Sequence, residues 1–83
     1  AVVKVEDPTN IGRIDAVVET ENKIHIMEFK MGSEQDALNQ IKKMSYHEKY
    51  LGKGKDIVLM GIGFDPHKRN IGNYLLENLS RNG

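Results

Sequence analysis

Apolar side chains recur at every second position in the early part of the chain, at every third or fourth in the middle, and then in one unbroken run. The opening Ala1-Val2-Val3-Lys4-Val5 is β-branched and reads as a strand, closed by the turn-forming cluster Glu6-Asp7-Pro8-Thr9-Asn10. From Gly12 to Thr20 the alternation is looser, with Ile14, Ala16 and Val18 on one side and Asp15 and Val17 on the other. Lys23 to Lys30 alternates cleanly: Ile24, Ile26, Glu28 and Lys30 share one face, His25, Met27 and Phe29 the opposite one. Both faces carry apolar residues, so each side of the sheet calls for cover.

Ser33 with Asp36 three residues on has the form of a helix N-cap. Ala37, Leu38, Ile41, Met44 and Leu51 then mark the apolar stripe of one long helix ending at Gly52 and Gly54. The run Ile57 to Phe64 predicts a central buried strand, in which Gly61 and Gly63 permit close backbone packing. Asp65-Pro66-His67 is a turn, and residues 70–79, where Ile71, Leu75 and Leu79 also suit a helix, read as a last strand. The order is β-β-β-α-β-β, an α/β class built on a mixed sheet with one main helix. That helix packs on one sheet face and little covers the other. The expectation is a single domain over residues 1–83, either part of a longer chain or paired with a second copy.

A length of 83 residues suits one small domain, and 39% hydrophobic residues are too many for disorder. No run approaches the roughly 20 apolar residues of a membrane span, and no signal peptide opens the chain, which predicts a cytoplasmic, membrane-free setting. With no cysteine, disulfides, thiolate zinc sites and thiol catalysis are excluded. The net charge of zero excludes a bulk polycation, but eight acids against four bases fall in residues 1–36 and eight bases against four acids in residues 37–83. Lys42, Lys43, Lys49, Lys53 and Lys55 cluster in the second part. They read as a solvated face or as a flank for a phosphate-bearing partner.

Candidate chemistry comes from the hairpin geometry. A turn at Glu21-Asn22 sets Val18 opposite His25, Asp15 opposite Glu28 and Arg13 opposite Lys30. Opposed side chains have Cβ atoms about 5 Å apart, so the two carboxylates repel unless something positive lies between them. Lys30 or an oxygen-bound cation such as Mg²⁺ meets that need. Two acids and a lysine so arranged amount to a minimal phosphodiester-hydrolysis site. The bland reading is a surface hairpin in which Lys30 and Arg13 neutralise two exposed acids.

Gly12-Arg13-Ile14-Asp15, twelve intervening residues and then Glu28-Phe29-Lys30 resemble the Asp…Glu-x-Lys signature of the PD-(D/E)XK nuclease superfamily. A capped helix with Gln40 and then an apolar strand follow, as in such nucleases. The similarity runs from about Gly12 to Phe64 and on toward the end of the chain, which more closely resembles nuclease-like domains found C-terminal to AAA-type ATPase-like domains in bacterial proteins. The resemblance implies a restriction-endonuclease-like fold and a Mg²⁺ or Mn²⁺ ion bound by Asp15, Glu28 and the Phe29 backbone carbonyl. It further implies that Lys30 positions the water, that Gln40 assists, that nucleic acid is the substrate, and that an ATPase-like domain shares the parent chain. Ile14 stands where the superfamily name has proline, and the usual N-terminal helix is missing.

Other features have plainer readings. Tyr46 and Tyr50 share a helix face and pack on the sheet rather than stack on bases. His25, His47 and His67 lack ligand spacing. Gly52-Lys53-Gly54-Lys55 lacks the phosphate-loop pattern and is a turn, and Ser33, Ser45 and Ser80 sit in no nucleophile elbow. Two further functions compete with a nuclease: a catalytically inactive nuclease-fold scaffold for assembly or nucleic-acid contact, and a plain β-rich association module, possible as a homo-oligomer.

Overall fold

The hairpin forms in the expected register, with Glu19, Val18, Val17 and Ala16 paired antiparallel to Ile24, His25, Ile26 and Met27. These residues belong to β2 (Gly12–Glu19) and β3 (Lys23–Met31) of a five-stranded sheet. The computed structural model describes residues 2–9 and 12–79. Ala1, Asn10 and Ser80, read above as strand, turn and non-catalytic serine, lie outside them. β1 (Val2–Thr9) lies along β2. After α1 (Glu34–Lys43) and a short 3-10 helix (Tyr46–Tyr50), β4 (Asp56–Asp65) runs parallel to β3, and β5 (Asn70–Leu79) returns antiparallel. The strands stand side by side in sequence order. The fold is therefore the expected α/β arrangement, β-β-β-α-β-β.

The residues first read as a turn, Glu6 to Thr9, continue the first strand instead. Pro8 is tolerated there because β1 is an edge, where a missing N–H breaks no ladder. The irregularity falls at Glu6, which takes φ +55° between the pairs Val5–Ala16 and Asp7–Ile14. Alternation along β2 slips at the same level. Ile14 leaves the face of Ala16 and Val18 and is buried with Val17.

Ser33 caps α1 as expected, its Oγ accepting from the Asp36 N–H at 3.0 Å. Acids in the first turn and lysines in the last complement the helix dipole. The single long helix does not form. α1 stops at Met44, Ser45 turns left-handed (φ +52°), and Tyr46 and Tyr50 reach the core from the 3-10 helix, leaving Leu51 exposed. The core lies on this side of the sheet, where Ile24, Ile26 and Leu59 meet Leu38, Ile41 and both tyrosines. α1 approaches β4 closely because Gly61 and Gly63 carry no side chain. A Cβ at Gly61 would lie 2.4 Å from the Glu34 carbonyl oxygen.

The opposite sheet face is apolar and open. Val5, Ala16, Met27, Met60 and Leu76 are successive partners across all five strands, and Phe29–Ile62–Tyr74 forms a parallel row. Val5 is 73% exposed and Tyr74 60%. Among the described residues no helix is long and apolar enough to cross a membrane.

Candidate functional site

One step past the last β2–β3 pair, the register brings Asp15 level with Glu28, where β2 leaves β3. The Asp15 side chain takes over the vacated main-chain position: its Oδ2 accepts from the Phe29 N–H at 2.9 Å. Glu28 follows Ile24 and Ile26 on the core face and is only 4% exposed. From α1, Gln40 Nε2 donates to Glu28 Oε1 at 2.7 Å. Among the described residues, Glu28 Oε2 is buried and has no hydrogen-bond partner. Burial first, then the negative charge of Asp15, push the Glu28 carboxyl up to about 7, although the nearby Asp15 backbone and Lys30 pull the other way. Lys30 is half-buried on the same strand.

Asp15, Glu28, Lys30 and Gln40, singled out from the sequence, are thus brought together. Arg13 is not. The β2–β3 ladder ends before it could face Lys30, and Arg13 instead lies 3.6 Å from Glu6 at the surface. The bland reading of two exposed acids fails for Glu28, whose carboxylate is enclosed.

Among the described residues, no group of three or more His, Asp or Glu could hold a metal ion by itself. The pair present nevertheless suits a hard cation. An unpartnered buried carboxylate oxygen beside a second carboxylate is an oxygen-donor site short of a positive charge, and Mg²⁺ is commonly held by one or two carboxylates with water and phosphate completing its shell.

Sequence reasoning missed a cleft of about 430 Å³ beside Gln40 and Lys30, lined from α1 by Asp36, Asn39 and Lys43. Their spacing of three and four residues was the available signal. It also missed a second buried carboxylate, Asp7, which accepts from Tyr50 Oη and from Lys49 Nζ at 2.8 Å and ties β1 to the 3-10 helix. Burial would raise the Asp7 carboxyl, but the Lys49 and Tyr50 bonds and the charges of Lys49 and Lys4 together hold it below its ordinary value. The clustered lysines are largely internal partners: Lys42 pairs with Glu77, Lys49 with Asp7, and Lys53 and Lys55 with Glu19.

The PD-(D/E)XK nuclease superfamily matches residues 2–74, and the chain belongs to that superfamily. The chain is also 34% identical over 80 residues to an "uncharacterized protein in vnfD 5′ region" of Azotobacter chroococcum mcd 1. That alignment covers 93% of this chain but only 16% of the relative. No solved structure matches the chain significantly.

Proposed function

We propose that this domain hydrolyses phosphodiester bonds of nucleic acid with a divalent cation, Mg²⁺ or Mn²⁺, held by Asp15, Glu28 and the Phe29 carbonyl. The observation that carries the reading is the buried, unpartnered Glu28 Oε2 beside Asp15. The Phe29 N–H points toward β2 to reach Asp15, and a strand residue presents its N–H and C=O to the same neighbour, so that carbonyl also faces the gap. When bound, such an ion polarises a phosphoryl oxygen and lowers the pKa of a water. Gln40 fixes the Glu28 carboxylate in rotation. Asp15 is fixed by the Phe29 amide. Lys30 orients the attacking water and supplies positive charge beside the developing phosphorane.

The ATPase-like domain in the same parent chain is part of this proposal. It rests on the resemblance, and the length of the Azotobacter relative leaves room there for further domains. The inactive-scaffold reading is favoured by a single observation, that among the described residues no third His, Asp or Glu joins the two carboxylates. Calorimetric titration with Mn²⁺ separates the two. A nuclease takes up the ion in the wild type, and Asp15→Ala loses both uptake and cleavage of labelled DNA or RNA to background. Full cleavage by Asp15→Ala, or no uptake by the wild type, defeats the nuclease reading.

A further inference from the structure

We propose that the cleft beside Gln40 seats the sugar–phosphate backbone of a nucleic-acid strand next to the bond to be cut, with Lys43 as its phosphate contact. This deepens the nuclease reading by naming a phosphate contact of the strand beyond the carboxylate pair, and relies on that reading for the position of the scissile bond.

The cleft begins at Lys30 and Gln40, two of the residues around Glu28, and continues along α1 past Asn39 to Lys43, over Met44 and Tyr46. Gln40 and Lys43 are three residues apart and so lie on one helix face. Gln40 is held by Glu28, which fixes where the cleft opens relative to the carboxylates.

The charge pattern selects the occupant. Lys42, Lys49, Lys53 and Lys55 each lie within 2.8–3.7 Å of a carboxylate. Lys43 is exposed and makes no ion pair or hydrogen bond among the described residues. Of the two lysines of the cleft, Lys30 acts on the Glu28 carboxyl, whereas Lys43 is left to meet a phosphate, and the Asn39 amide adds a neutral donor. Asp36 lines the cleft from the first turn of α1 and Lys43 from the last, so the negative charge biases a phosphate chain toward the Lys43 end. A mononucleotide at the Asp15–Glu28 end would leave Lys43 unused, whereas the next phosphate of a strand meets it.

Anisotropy of a labelled single strand of about 12 nucleotides, with chelator present to prevent cleavage, tests this. Lys43→Gln should weaken binding several-fold at about 50 mM salt and lower the slope of log K against log salt by about 0.7, one phosphate contact. Lys43→Arg should bind as the wild type does. Lys68→Gln, in the turn between β4 and β5, should change nothing. A Lys43→Gln slope equal to wild type, or an equal loss in Lys43→Arg, overturns the proposal. The two readings fail separately. A protein that takes up no Mn²⁺ yet loses slope in Lys43→Gln keeps the strand-binding cleft and loses the nuclease. One that cleaves with an unchanged Lys43→Gln slope loses the cleft alone.

Discussion

The two oxygens of Glu28 are in different circumstances. Oε1 is satisfied by Gln40, and Oε2 is buried with no hydrogen-bond partner among the described residues. Its carboxyl, raised to about 7 in the fold, returns near 4.3 when the chain unfolds. Below pH 4 both states hold the proton and nothing is lost. Between these values only the unfolded state ionises, so stability falls as pH rises, and above about 7 the loss is complete at about 2 kcal/mol once solvent screening is discounted. Glu28→Gln removes that penalty. In chelator its melting temperature should exceed wild type by several degrees at pH 8 and coincide with it at pH 4. The opposition of Asp15 and Glu28 was legible because alternation fixes register. The Asp15–Phe29 bond was not, since it depends on β2 leaving β3.

At the scale of elements, the seat of α1 on β4 sets the site. A Cβ at Gly61 would meet the Leu38 amide nitrogen at 2.5 Å as well as the Glu34 carbonyl, and both are main-chain atoms that yield only if the helix moves. Gly61→Ala should therefore cost about 1–3 kcal/mol in urea unfolding and lengthen the Gln40–Glu28 contact. Gly72→Ala, whose Cβ would find its nearest neighbour at an ordinary 3.5 Å, should cost far less. The cap at Ser33 and the close approach at the glycines were legible, because each is a local requirement. The break at Ser45 was not. Met44 and Leu51 keep helical spacing, and only tertiary packing decides that the two tyrosines enter the core from a tighter turn.

Across the whole molecule, the succession of elements along the chain and the uncovered sheet face could be read from sequence, since apolar residues on both faces outnumber what one helix covers. The extension of β1 through Pro8 could not, because edge position is a property of the assembled sheet. Lys42–Glu77 at 3.0 Å and Lys49–Asp7 at 2.8 Å draw opposite ends of the sheet to the helical layer. The main core cluster thus lies under a single layer of helix, and among the described residues no second layer covers the other face to retain a remnant if it lifts. The domain has no partial retreat. Amide hydrogen exchange along β4 should proceed only by global opening, with one shared free energy from Ile57 to Ile62 that equals the unfolding free energy. A graded set of protections along that strand would show that the sheet outlives its cover.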